Sequence, residues 1–363
     1  MPLRSTRSAT LQIDLDALAR NYARLRAAAA PAECTAVVKA DAYGLGVAPV
    51  ARRLLREGCT RFFVATAAEA GELRAVAPGV DIYVLEGARA GQLDTLAAAR
   101  ATPVLCSLEQ VEHWAGRGGA LLQIDTGMAR LGLTGREFAA LIDNPPPIFW
   151  RAVMSHLACA DEAGHALNQS QRERFAAAAA QLPGVPASLA ASSGIFLGAR
   201  YHFDLVRPGA ALYGVNPQPG QPNPMRQVVQ LRGRILQVRE IDGGESVGYG
   251  ATHIMAMSGR VATVAVGYAD GWLRSLSRRG CAFVGDTRVP LLGRVSMDLV
   301  AFDVSAVDPA LARPGMTVEL LGRNYGVDDA AADAGTIGYE ILTALGARHH
   351  RIYHPPATAA TPE

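Results

Sequence analysis

The sequence predicts an α/β chain, a (β/α)8 TIM-type barrel followed by a mainly β C-terminal domain. Three observations carry that prediction. Between Cys34 and Arg207, eight short β-branched runs alternate with Ala-, Leu- and Arg-rich helical stretches. No G-x-G-x-x-G follows the first run, which weighs against a dinucleotide-binding sheet. After a proline-rich stretch the helices thin out and β-type runs dominate. Strands alternating with helices of this size form βαβ units, and eight such units close a barrel.

The elements follow in chain order. Residues 16–30, DALARNYARLRAAAA, read as an amphipathic helix ahead of the barrel, with Asp14 or Asp16 as its cap. The strand candidates are CTAVVK (34–39), RFFVAT (61–66), DIYVLE (81–86), TPVLC (102–106), ALLQID (120–125), FWRAVMSH (149–156), ASLAAS (187–192) and HFDLVR (202–207). Helical patterns such as APVARRLLREG (48–58) and HALNQSQRERFAAAAAQL (165–182) lie between them. NPQPGQPNP (216–224) reads as a linker. Beyond it, VVQLRGRILQVREI, GRVATVAVGYA, CAFVG, TRVPLLGRVSM, DLVAFDVS and TVELLG read as strands, and DAGTIGYEILTAL (333–345) as one helix. These assignments set a barrel at 11–225 and a mainly β domain at 226–363, with residues 1–10 as a candidate addition to the latter.

Composition narrows the function. The 363 residues are 19% charged and 50% hydrophobic, which excludes a disordered or collagen-like chain. Basic and acidic residues nearly cancel, for a net charge of +2, so nucleic acid is not the expected partner. The five cysteines (Cys34, Cys59, Cys106, Cys159 and Cys281) show no metal-ligand spacing and point to a reducing compartment. The N-terminus shows no apolar signal region and no run is long enough to span a bilayer, so a cytoplasmic protein without a membrane anchor is expected.

The basic residues hold one singular feature. Of 35 Lys and Arg, only Lys39 is a lysine. Arg replaces Lys readily as a solvated charge, but it neither deprotonates at working pH nor forms an imine. Lys39 ends the first strand candidate, and barrels of this kind build their sites at that end of their strands. Asp125 to Arg130, His156, Ser192, Ser193 and Arg207 end or follow the fifth to eighth candidates. An amine, an imidazole, two guanidinium groups and hydroxyls therefore converge on one face. A His or Arg alone is more often a structural core or surface residue; it is the common location that points to a site.

The segments AVVKADAYGLG, IDTGMARLG, SHLACADE, VRPGAALYG, VGYGAT, VGYADGW and GRVSMD occur in that order. Together they resemble the successive signatures of bacterial alanine racemase, from about residue 10 to Tyr353. The resemblance implies a pyridoxal 5′-phosphate (PLP) enzyme that interconverts L-alanine and D-alanine by two-base proton transfer. Such an enzyme supplies D-alanine for peptidoglycan or catabolises it. The resemblance also implies a homodimer with shared active sites. It makes Lys39, which holds PLP as an imine, one base, and Tyr268, from the second subunit, the other. A phenol is a weak base at neutral pH and needs support, which the resemblance assigns to His156 linking towards Arg207. By the same resemblance Arg207 corresponds to the residue facing the pyridine nitrogen. The resemblance further implies that Tyr43, Ser193, backbone groups of Gly209 and Ala210, and Tyr353 serve the cofactor phosphate. It implies too that Arg130 approaches the ring phenolate and the substrate carboxylate, and that the Met297 N–H binds that carboxylate. Tyr249, Asp161 and Arg294 fit an entrance corridor. No metal is implied.

Three positions depart from the family pattern. Gln123 stands where many members carry a lysine whose carbamate braces the Arg of the DTGM segment. Ala129 replaces a frequent Gly, and Ser192-Ser193 replaces an Asn-Ser pair. The competing readings are a non-catalytic PLP-binding protein, which would lack Tyr268 and Met297, and a racemase of broader specificity for small amino acids. A decarboxylase favours an acidic partner for the ring nitrogen, where this chain offers Arg207, and a cofactor-free lyase leaves Tyr268 without a task.

Overall fold

The computed structural model of the chain describes residues 9–355. They fall into two compact units, one of residues 18–212 and 216–226, the other of residues 9–17, 213–215 and 227–355.

The first unit is built on a parallel sheet of seven strands in sequence order. They are Ala36–Val37, Arg61–Val64, Asp81–Val84, Thr102–Leu105, Gly119–Gln123, Phe149–Met154 and Ala187–Ser188. The eighth run forms Leu205–Val206, parallel to Glu33–Cys34 at the start of the first. Thr35 N donates to Val206 O at 3.0 Å and Val37 N to Pro208 O at 2.9 Å. On the other flank Arg207 N donates to Ala190 O at 2.9 Å, so the eighth run carries the ring closed. All eight sequence runs thus occupy barrel positions, although the last two contribute only two strand residues each. The strands read as continuous apolar runs because both faces are covered: Phe62, Phe63, Val64, Leu121 and Leu122 are all buried.

The helices start where the sequence supplies caps. Thr66 and Glu69 form a capping box for Ala67–Val76, Thr134 and Glu137 one for Gly135–Asp143, and Ser107 caps Leu108–Trp114. The leading helix is Leu15–Ala29, and Asp14 rather than Asp16 is its cap, accepting from Ala17 N at 2.8 Å. The proline-rich segment is held to the barrel unit rather than free between domains. Buried Asn21 donates to Arg226 O at 2.8 Å and Leu212 O at 3.1 Å, and accepts from Arg226 N at 2.7 Å.

The second unit is an antiparallel barrel. The long strand Val229–Ile241 pairs with Thr317–Leu321 along one half and with Gly259–Val264 along the other. Val300–Asp303, Thr287–Leu292 and Cys281–Val284 complete the ring between them. Strand Ala9–Asp14 adds to this sheet, antiparallel to Val229–Ile241 and parallel to His350–His354. Residues 11–17, assigned to the barrel from sequence, therefore belong with the β unit, and residues 1–8 lie outside the described set. The single helix expected over 333–345 is two, Val327–Ala334 and Gly338–Ala344. The first stops because Gly335 takes a left-handed conformation, φ 70°, which glycine adopts without a Cβ penalty. No helix among the described residues is long and apolar enough to cross a membrane.

Candidate active site

Lys39 follows the first barrel strand and opens a turn of the wrong hand. Ala40, Asp41, Ala42 and Tyr43 all have φ between 52° and 56°, and Gly44 follows at 81°. Each left-handed non-glycine residue costs about 1–2 kcal/mol. The surroundings hold it in place: Ala42 N donates to Val38 O, Gly44 N to Ala40 O, and Val47 N to Asp41 Oδ1 at 2.7 Å. Ala40 N donates to Glu69 Oε1 at 2.8 Å. Strain fixed this firmly beside one residue is characteristic of functional segments. Burial first, then the neighbouring Arg130 charge, push the Lys39 amine below its ordinary pKa, while Glu69 opposes them.

His156 and Arg207 occupy the same neighbourhood. Burial, then the charges of Arg207, Arg130 and Lys39, pull the imidazole down to about 3, so His156 is neutral at working pH. Arg207 is buried, and Nη2 donates to Ser155 O at 2.6 Å and Leu189 O at 3.4 Å while Nη1 donates to Ser188 Oγ. Burial lowers its pKa to about 9, which leaves it protonated near neutral pH. Gln171, fully buried on helix Ala166–Ala179, ties the two neighbouring loops. It donates to His156 O at 2.9 Å and to Thr126 Oγ1 at 3.3 Å, and accepts from Ala158 N at 2.8 Å.

The Arg130 loop is organised by Asp125, whose carboxylate accepts from Gly127, Met128 and Ala129 N–H at 2.9–3.2 Å. Burial alone would raise that carboxyl, but these three donors and Arg174 hold it below its ordinary range. Ala129 sits at φ 56°, a left-handed position. Gln123 is buried and donates from Nε2 to Leu131 O at 3.0 Å, next to Arg130, while Cys106 Sγ lies 3.9 Å from its Oε1.

The residues expected around a phosphate come together only in part. Tyr43 Oη lies 2.2 Å from where a Cβ on Gly209 would sit, so only glycine allows this approach. Gly209 N, expected to serve the phosphate, already donates to Ser192 Oγ at 3.0 Å, and Ala211 N donates to the same oxygen at 3.2 Å. Ala210 opens the turn Ala210–Tyr213, and Ser193 is half-buried beside Ser192. Tyr268, Met297 and Tyr353 belong to the β unit. Tyr268 heads the turn Tyr268–Asp270, Met297 follows Ser296, and Tyr353 lies in strand His350–His354. Tyr249 and Arg294 line one groove of about 410 Å³ in that unit, together with Gln237 and Ser296. Asp161 is exposed in the loop after the sixth strand.

Residues 13–217 match the family model for the alanine racemase N-terminal domain, and residues 228–353 the model for its C-terminal domain. The chain belongs to the alanine racemase family. It is 51% identical to the alanine racemase of Rhodospirillum rubrum, covering 95% of this chain and 96% of that one. It is 50% identical to a catabolic alanine racemase of Mesorhizobium japonicum, over 95% and 93%. The fold superimposes with a TM-score of 0.91 on the alanine racemase of Bartonella henselae with covalently bound pyridoxal phosphate, at 40% identity over 95% and 99% of the two chains.

Within this alanine racemase framework the departures acquire physical content. Gln123 reaches the backbone that carries Arg130, so a neutral amide can position it through the main chain. Gln123→Leu removes one part-buried hydrogen bond of about 1 kcal/mol and is expected to raise KM for alanine roughly fivefold. Steady-state kinetics check this, with the cofactor absorbance unchanged. Ser192 is picked out from sequence by its place after the seventh strand but not as a buried brace, and Glu69 and Gln171 are missed altogether. For Glu69 a signal existed, the Thr66-x-x-Glu69 capping-box spacing. For the other two, nothing short of the fold shows what their side chains reach.

Proposed function

We propose that Lys39 and Tyr268 are the two proton-transfer groups of the racemase reaction. The chain interconverts L-alanine and D-alanine with PLP. When bound, this cofactor withdraws electrons from the alanine Cα and makes the Cα–H acidic. The residues present fit it: a half-buried amine with a lowered pKa, and a Tyr43 hydroxyl seated against the Gly209 backbone where a single Cβ would displace it. The observation that carries the reading is that the one lysine of the chain is this amine, set at the C-terminal end of the first barrel strand among Arg130, His156 and Arg207.

Lys39 would hold the cofactor and serve one face of alanine Cα. Tyr43, Ser193, Ala210 and Tyr353 would serve the phosphate, while Ser192 takes the Gly209 and Ala211 N–H groups and so braces the turn that presents Ala210, a change from the expectation that Gly209 itself serves it. Arg207, a donor that cannot accept, would face the ring nitrogen and keep it unprotonated. Neutral His156 would connect that guanidinium to the Tyr268 phenol. Arg130 and the Met297 N–H would bind the substrate carboxylate.

The assembly we infer is a homodimer in which Tyr268 of the partner subunit and Met297 of the partner subunit complete each Lys39 site. Its support is that Tyr268 and Met297 are 42% and 54% exposed on the single chain. Subunit mixing tests it. Lys39→Ala and Tyr268→Phe chains, each inactive alone, should on reassociation regain about a quarter of wild-type activity, because half the dimers are mixed and each then holds one intact site. No recovery in confirmed mixed dimers would place Lys39 and Tyr268 of one site on one chain. We place the reaction in the cytoplasm, in keeping with five cysteines that are all free thiols.

A further inference from the structure

The turn that carries Tyr268 and the turn that carries Met297 are tied to each other by backbone bonds. Tyr268 N donates to Ser296 O and Ala269 N to Met297 O, both at 3.0 Å. A side chain from a third segment spans the same two turns. Arg348 Nε lies 3.0 Å from Asp270 Oδ1, and Nη1 donates to Asp298 Oδ1 at 2.7 Å. Asp270 closes the Tyr268 turn and is buried, its second oxygen accepting from Gly267 N at 2.9 Å. Asp298 is the residue after Met297. His349 adds a contact on the same side, with Nε2 2.7 Å from Asp270 O.

We propose that Arg348 is a positioning residue for racemisation, a guanidinium clamp that holds the Tyr268 phenol and the Met297 N–H in fixed register. The proposal rests on the reading of Tyr268 as a proton-transfer group and of Met297 as a carboxylate donor. The Arg348 side chain is 53% exposed, and exposed ion pairs add little to stability. What this pair of contacts controls is geometry. The two carboxylates sit on separate turns, and a planar fork reaches both where a lysine ammonium, a point charge, would favour one. Proton transfer needs its donor within hydrogen-bond reach of Cα, and a misplacement of about 1 Å costs on the order of 100-fold in rate. Loss of Arg348 would also leave Asp270 buried with one donor fewer, loosening the turn that presents Tyr268.

The test compares Arg348→Met, Arg348→Lys, Asp298→Asn and Tyr268→Phe holoenzymes. The readouts are amide exchange over residues 267–273, the α-deuterium isotope effect in each direction, and borohydride labelling of Lys39. In Arg348→Met the Tyr268 and Ala269 amides should exchange about tenfold faster. Proton transfer at the Tyr268 face should fall about 10- to 100-fold. The isotope effect should rise only for the enantiomer deprotonated there, and Lys39 labelling should stay at wild-type level. Arg348→Lys should be intermediate. Wild-type amide exchange and isotope effects in Arg348→Met, alongside a face-specific loss in Tyr268→Phe, would overturn the clamp and leave the two-base reading standing. A Tyr268→Phe enzyme that is unimpaired at both faces would overturn that reading and the clamp with it. Should Arg348→Met fail to fold, Asp298→Asn decides, since it cuts only one arm: a face-specific loss supports the clamp and its absence refutes it.

Discussion

Lys39→Ala should yield a folded protein that retains no covalently attached cofactor and racemises alanine at least about 100- to 10,000-fold more slowly, the range expected from losing a proton-transfer group alone. The effect is clean because no other lysine exists in the chain to take over either task. In the wild type, borohydride-fixed PLP on a lysine side chain must map to residue 39. Arg cannot substitute, since a guanidinium is neither an imine former nor a base at working pH. The pH dependence has a defined sign. Attachment needs the neutral amine, and burial and Arg130 lower the Lys39 pKa from the ordinary 10.5. Reconstitution of the apoprotein with PLP should therefore reach its plateau rate below the pH at which an exposed lysine would. The visible absorbance band and peptide mapping after reduction are the measurements. Label on another residue in the wild type, or a Lys39→Ala enzyme with normal turnover, would remove the basis of the functional reading.

Tyr268→Phe should give the second-largest loss, and one of a different kind. The phenyl ring keeps the volume and loses only the hydroxyl. The fold, the Lys39 label and the cofactor absorbance should stay as in the wild type, while turnover falls about 100- to 10,000-fold. The loss should be unequal between the two faces of Cα. With Lys39 intact, α-proton exchange into deuterated water continues for the enantiomer whose proton faces Lys39, but conversion to the other enantiomer stalls. Following exchange by NMR from pure L-alanine and from pure D-alanine separates the two. Equal slowing of both would argue that Tyr268 shapes the site without transferring the proton.

The barrel was readable because its strands are buried on both faces. That burial forces continuous apolar runs such as RFFV and ALLQ, and the βαβ rhythm separates them. The helix starts were readable wherever a cap sits in the sequence, as at Thr66, Ser107 and Thr134. The break at Gly335 does not show in the sequence because the residues on either side, DA and TIGYEILTAL, fit one helical period, and a lone glycine inside such a pattern is often tolerated. From sequence, residues 11–17 are placed with the barrel and no strand is marked there, because the partner of Ala9–Asp14 lies more than 200 residues away in Val229–Ile241.

The candidate site divides in the same way. Lys39, Arg130, His156 and Arg207 were legible because each ends or follows a barrel strand, and their type is fixed by chemistry rather than by packing. Ser192, Gln171 and Arg348 act through long-range hydrogen bonds or ion pairs. Ser192 meets Gly209, Gln171 meets His156, and Arg348 spans Asp270 and Asp298. Small or polar residues of this kind are common everywhere in the chain, and spacing alone distinguishes none of them. Apolar periodicity, a local property of the chain, was enough for the architecture, and composition for the one lysine; the reaction family came from the resemblance of the ordered motifs, not from periodicity. Only the folded chain reveals the left-handed turn behind Lys39, the bond from Gln123 to the backbone of the Arg130 loop, and the reach of Arg348 to both Asp270 and Asp298. Each of these depends on which distant donors and acceptors the fold brings within about 3 Å.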